Sequence, residues 1–224
     1  MALCERFRAL AESAPGGLGL GKEAGFRELV HKDIGRFDVS LDDCADAAGA
    51  GFIGEIREHA EKTIAPLLTH LFGPSYRLNG QGMVVSYPGA AAQRFHIDSS
   101  WLFAGLPQQP CHFVTVFVTL LPAVAPTEFV LGSHQHTHTL GRETVAEQYP
   151  DNEYCRVLMA RPDVTPAVLS TAAAGGDVIV MDGRTLHRGL ANEEAVRPVA
   201  YFSFSPPWYR EWPTSQMKDG RTLF

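Results

Sequence analysis

His96-Ile97-Asp98 is the tripeptide with the most chemistry in it. On a strand or at its frayed end, positions i and i+2 project to one face, so an imidazole and a carboxylate converge on one point. Those are two of the three ligands of a 2-His-1-carboxylate arrangement, which holds non-haem Fe(II) through one face and leaves the other positions for substrate and oxygen. A second histidine must then come from far away in the chain. His187 is the candidate: it follows the run Asp177 to Met181 and lies 187 − 96 = 91 residues after His96. A His-x-Asp pair alone is a weak signal, since such pairs occur as surface polar groups in many proteins. Arg197 strengthens it, standing 197 − 187 = 10 residues beyond His187 at the head of the run Val199 to Phe204. A guanidinium there can face the same interior as the metal and hold the distal carboxylate of a diacid as a bidentate fork, which an ammonium cannot do.

Such a set needs strands to hold it. Gln81–Tyr87, Cys111–Leu121, Thr127–Leu131, Asp177–Met181 and Val199–Phe204 are short runs rich in Val, Phe, Tyr and Thr, bounded by Pro, Gly, Asn or Asp, and read as strands. Before them, Phe52, Ile56, Ile64, Leu67, Leu68 and Leu71 recur at three- and four-residue spacing among Glu and Arg, which predicts one or two helices across 41–72 with Gly73-Pro74 as the stop. Helices followed by several strands without alternation argue for an antiparallel sandwich or barrel, not a parallel sheet. The expected fold is mainly β with flanking helices: a jelly-roll or cupin-like core with the N-terminal helices packed on one sheet.

The 224 residues suit a single domain, 45% apolar and 20% charged, enough for a proper core. The parts expected are a loop-like start at 1–21, a helical portion at 22–78, a β core at 79–205 and a C-terminal segment at 206–224. The stretch 139–174 is too long for a plain connection and reads as an insert or lid. A net charge of −6 lacks the basic excess that nucleic-acid backbones demand. No apolar stretch reaches the roughly 20 residues needed to cross a bilayer. Charged residues at the start break any signal peptide, and the four scattered cysteines form no disulfide or zinc pattern. A soluble, cytoplasmic protein with no nucleic-acid or membrane partner is expected, monomer or homodimer.

Several segments resemble the Fe(II)- and 2-oxoglutarate-dependent dioxygenases, and among them the phytanoyl-CoA hydroxylase-like branch. They are Gln93 to Asp98, Thr127 to His134, Gly176-Asp177 through His187, Asn192 and Arg197. Thr127 to His134 is similar to the family's Asn-Gly-x-Leu-x-x-x-Pro-Gly-Ser-His segment, with Leu131 where proline is usual and Thr127-Glu128 in place of Asn-Gly. The resemblance covers about Gln81 to Ser205. It implies a double-stranded β-helix, with His96, Asp98 and His187 as iron ligands and Arg197 on the C5 carboxylate of 2-oxoglutarate. It further implies O2 as co-reactant, ascorbate as reductant, and hydroxylation of a small organic substrate with release of succinate and CO2.

No motif fixes the residue that meets the C1 carboxylate. Gln81, Gln93, Thr115 and Tyr87 are candidates by strand parity or proximity, each also readable as a structural polar group. On the substrate side, Trp101 reads as a pocket wall or as core packing, His134 as a turn residue at the rim, and Arg184 as a mouth residue or a solvated one. His134, His136 and His138 alternate and could bind zinc on one strand face, but they follow a turn. Three rival functions stand beside the main one: a cupin-type metal enzyme without 2-oxoglutarate, a protein or peptide hydroxylase, and an inactive binding protein of the same fold.

Overall fold

The computed structural model describes residues 36–40, 47–93, 95–99, 102–103, 109–121, 127–135, 168–170 and 174–209. The opening loop 1–21 and most of the 139–174 insert lie outside the described residues, as do His136, His138 and Trp101. One long helix, α1 (Ala47–Phe72), carries Ile53, Ile56, Ala60, Ile64, Leu68 and Phe72 on a single buried stripe. Their spacing of three and four residues is what makes that stripe continuous. Glu58 and Lys62 pair at 3.1 Å on the solvated side. Gly73, with φ at +81°, closes the helix through its N–H on the Thr69 carbonyl at 2.9 Å, the left-handed stop that glycine adopts most readily.

The strands are β1 (Arg36–Ser40), β2 (Arg77–Ser86), β3 (Val114–Thr119), β4 (Thr127–Val130), β5 (Val168–Ser170), β6 (Val178–Asp182), β7 (His187–Gly189) and β8 (Arg197–Ser205). They form a five-stranded sheet in the order β1-β2-β8-β3-β6 and a three-stranded sheet in the order β5-β4-β7, with every pair antiparallel. This is the expected jelly-roll architecture. The helix covers one face of the larger sheet, where Met83 and Val85 of β2, Val114, Val116 and Val118 of β3, and Ala200, Phe202 and Phe204 of β8 meet its buried stripe. Because side chains alternate across a strand, the residues between these face the other way, into the space between the sheets. That inner face carries Ser86, Thr115 and Arg197.

Two sequence expectations need correction. The 22–78 portion is not purely helical: Arg36-Phe37-Asp38-Val39-Ser40 alternates polar with apolar and forms the edge strand β1, paired along its whole length with β2. The strand expected from Gln81 begins at Arg77, carried past Gly80 by an irregularity between Leu78 and Gly80 that keeps it paired with β8. The strands β5 and β7, three residues each, are too short for any periodicity to reveal.

Ile56 is fully buried between α1 and the sheet, whereas Leu67 is 42% exposed on the outer side of the same helix. Ile56→Ala is expected to cost about 2–5 kcal/mol of unfolding free energy, and Leu67→Ala less than about 1 kcal/mol. Urea denaturation of both variants measures the difference; equal losses would contradict the assignment of the buried stripe.

Candidate active site

Two hydrogen bonds assemble the site. The His96 N–H donates to the His187 carbonyl at 2.9 Å and the His187 N–H donates back to His96 at 3.0 Å, a local antiparallel bridge between segments 91 residues apart. Residues directly opposed in this way point to the same face, and the two imidazole centroids lie 4.3 Å apart. β7 is held from its other side by β4, where Phe129 opposes His187 and stacks on its ring at 6.1 Å. The 3-10 turn Ser133–Gln135 after β4 adds a further tie, its Ser133 hydroxyl accepting from the Leu186 N–H at 2.8 Å.

Asp98 is pinned by its backbone. Its N–H and that of Ser99 both donate to the Gly183 carbonyl, at 2.8 and 3.0 Å. Gly183 must be glycine for this approach, since a Cβ there would stand 2.5 Å from the Phe113 ring. The Thr115 hydroxyl donates to Asp98 Oδ2 at 2.7 Å, which leaves Oδ1 turned toward His187 Nε2 at 3.6 Å. The donor atoms of His96, Asp98 and His187 all lie within 4.8 Å of one another, the one such group of three among the described residues.

The protonation pattern of this cluster fits a cation. His187 Nδ1 lies 3.0 Å from the Thr185 carbonyl, which can only accept, so Nδ1 carries the proton and Nε2 presents a lone pair. Burial, with the neighbouring His96 second, pushes His187 down to about 4, so its ring is neutral near pH 7. An imidazole lone pair facing a carboxylate oxygen is unfavourable until a positive ion lies between them. Two imidazoles and one carboxylate are the donor set that suits a first-row divalent metal, and the bonds from Thr115 and to Thr185 orient Asp98 and His187.

Arg197 opens β8 and is buried, its Nη2 donating to the Leu190 carbonyl at 2.6 Å and Nη1 to Ala191 at 3.4 Å. The guanidinium is therefore held three residues beyond His187. Among the described residues no carboxylate pairs with it. Burial, and then Arg36 nearby, lower it to about 10, still a cation at neutral pH.

The structure separates the four candidates for the other end of a bound diacid. Gln81 lies on the helix-facing side of β2, 3.4 Å from Arg57 of α1, because its parity is that of Met83 and Val85. Tyr87 packs against the same helix-side core. Gln93 accepts from the Gly189 N–H at 3.0 Å and so braces β7. Thr115 has the inward parity, and its hydroxyl donates its one hydrogen bond to Asp98 Oδ2. Arg184 is likewise no mouth residue: it is buried, forks onto Asp182 at 2.7 and 2.9 Å, and donates to the Gln109 carbonyl. His134 sits in the turn that Ser133 ties to Leu186.

Residues 3–197 match the family Phytanoyl-CoA dioxygenase (PhyH). No functionally curated protein has a sequence similar enough to match. Among solved structures, the chain resembles AviO1 from Streptomyces viridochromogenes Tue57 (TM-score 0.62, 19% identity, covering 95% of this chain and 88% of that one). It also resembles HygX from Streptomyces hygroscopicus with nickel and 2-oxoglutarate bound (0.60, 15%, 95% and 81%). A third similar structure is the non-heme alpha ketoglutarate dependent epimerase SnoN from nogalamycin biosynthesis (0.57, 17%, 94% and 77%). At these identities the structures speak to the fold, and they agree with the architecture described above. With most of its length matched, the chain belongs to the phytanoyl-CoA dioxygenase (PhyH) family and is a 2-oxoglutarate-dependent dioxygenase.

Proposed function

We propose that this protein is a non-haem Fe(II) oxygenase that hydroxylates a small organic molecule, converting 2-oxoglutarate and O2 to succinate and CO2 in the process. The observation that carries the reading is Arg197: a buried guanidinium, without a carboxylate among the described residues, with the same inward parity on the large sheet as Thr115, which reaches Asp98 of the three converging metal donors. A metal site alone would be compatible with a cupin-type enzyme. A cation placed for the far end of a diacid is not needed there.

His96, Asp98 and His187 would hold the iron, and Arg197 the C5 carboxylate. Iron, when bound, supplies the activation of O2, and 2-oxoglutarate supplies two electrons as it loses CO2; ascorbate keeps the metal ferrous. The chain's own residues do the rest. Thr185 keeps the His187 proton on Nδ1, so that Nε2 stays available. Thr115 holds the Asp98 carboxylate in one orientation. Phe117 and Phe129, at 6.0 and 6.1 Å from the His187 ring, shield the ligand from water. A small substrate is supported by HygX, a structure of which contains hygromycin B beside nickel and 2-oxoglutarate. No described helix is long and apolar enough to cross a membrane.

Asp98→Ala and His187→Ala are each expected to abolish iron-dependent formation of succinate from 2-oxoglutarate, while His136→Ala and His138→Ala retain it. Equal loss in the latter pair would move the metal to the histidine tract. Anaerobic addition of 2-oxoglutarate to the Fe(II) protein should give the weak visible charge-transfer band expected of this family. Arg197→Ala leaves one end of a dianion unpaired in a buried site, a change of about 2–5 kcal/mol in binding. That is roughly 30- to several-thousand-fold in affinity. Arg197→Lys should recover only part of it, since an ammonium keeps the charge but lacks the planar fork. Titration of the band in the three proteins measures this; unchanged affinity in Arg197→Ala would remove the 2-oxoglutarate reading.

A further inference from the structure

Thr119 closes β3 with the inward parity of Thr115 and Phe117, because Val116, Val118 and Leu120 take the helix side. Along that inner face Thr115 reaches Asp98 and Phe117 lies 6.0 Å from the His187 ring, so β3 passes the metal donors before it ends. At its end Thr119 opposes Val199 of β8, and Arg197 stands two residues from Val199 on the same face. Thr119 and Arg197 are therefore diagonal neighbours across a strand pair, about 7–8 Å apart, a gap that a small ligand group can bridge. Thr119 is 1% exposed, and its hydroxyl has no hydrogen-bond partner among the described residues. The strand end does not need that hydroxyl: the Thr119 N–H donates to the Asp177 carbonyl at 3.1 Å, and its carbonyl accepts from the Gly176 N–H at 2.7 Å. A buried hydroxyl without an acceptor is less favourable than the methyl of a valine of the same shape, so the fold by itself gives no reason for threonine here. Arg197 meanwhile donates to the Leu190 and Ala191 carbonyls, two of a guanidinium's five N–H groups. What satisfies both side chains at once is an anion with several lone pairs, and a carboxylate has the size and charge for it.

We propose that Thr119 is a further binding residue for the cosubstrate: its hydroxyl donates to the distal carboxylate of 2-oxoglutarate, which Arg197 holds from the neighbouring strand. The inference rests on the reading of the site as a 2-oxoglutarate site and adds a residue that no motif marks. Its consequence is selectivity. A 2-oxo acid that ends in a methyl group offers Thr119 no acceptor, so the hydroxyl contributes to the affinity of the diacid and not to that of the monoacid.

The test titrates 2-oxoglutarate and 2-oxopentanoate, in which a methyl group replaces the second carboxylate, into the anaerobic Fe(II) protein, with the visible band as readout. Wild type, Thr119→Val, Thr119→Ser and Arg197→Ala are compared, with iron affinity measured separately. Valine keeps the shape and removes the hydroxyl, whereas serine keeps the hydroxyl. A hydrogen bond to a charged group is worth about 10- to 100-fold, so Thr119→Val should weaken 2-oxoglutarate by that factor and leave 2-oxopentanoate and iron within about threefold. Thr119→Ser, which retains the donor, should bind the diacid within about threefold of wild type. Should the valine variant fail to fold, Thr119→Ala also lacks the hydroxyl and carries the same comparison. Equal loss on both acids, or no loss on either, would reduce Thr119 to a packing residue at the end of β3 and overturn the proposal. A loss in the serine variant as large as in the valine variant would trace the effect to the methyl group and overturn it too. If Arg197→Ala weakens the diacid while Thr119→Val matches wild type, only this inference falls. If wild type binds no 2-oxoglutarate, the reading of the site fails and this inference fails with it.

Discussion

The pair of backbone hydrogen bonds between His96 and His187 is the constraint on which the site depends. It closes a loop of 91 residues, and loop closure of that length must be supported by everything the intervening chain folds into. The jelly roll provides the support from both sides. β4 lies against β7 on one edge, and the Ala90–His96 segment lies against it on the other, tied at Gln93–Gly189 and Ala90–Asn192. A three-residue strand would not persist by itself; clamped between two neighbours, it becomes a fixed rail for an imidazole.

The second organising principle is the parity of the large sheet. On β3, Val114, Val116 and Val118 face α1 while Thr115 faces Asp98. On β8, Ala200, Phe202 and Phe204 face α1 while Arg197 looks inward. Packing and chemistry thus share the same strands without sharing a face. A register slip of one residue would bury a guanidinium under the helix and expose the core valines, so the hydrophobic layer that stabilises the fold also fixes where the polar residues point.

This parity explains what could and could not be read from the sequence. That His96, Asp98 and His187 would converge, and that Arg197 would open a strand with inward parity, was legible because spacing carries the information: i and i+2 at one end of a strand, and a cation at the head of another. The candidates chosen by proximity fared differently. Gln81 and Tyr87 lie in β2 or just after it, but the face that β2 turns to the helix is set by its pairing with β8, which no local pattern discloses. Thr115 had the inward parity, yet which group takes a hydroxyl's one proton is a matter of distances of a few tenths of an ångström. Arg184 read as a mouth residue because nothing in the sequence says that Asp182, two positions earlier, turns back to meet it. The strand β1 escaped notice for another reason: five alternating residues ahead of a long helical pattern are overshadowed by it, and the strand they form gains its meaning only as the neighbour of β2.

The central claim is that three side chains from two distant segments bind one ferrous ion on the inner face of the β-helix. Diffraction data collected on either side of the iron absorption edge, from crystals grown anaerobically with Fe(II), test it without reference to any substrate. A single iron peak is expected within coordinating distance of His96, Asp98 Oδ1 and His187 Nε2, on the side facing Arg197. A peak centred on the His134–His138 tract, or a fully occupied iron that contacts only one of the three residues, would contradict the account.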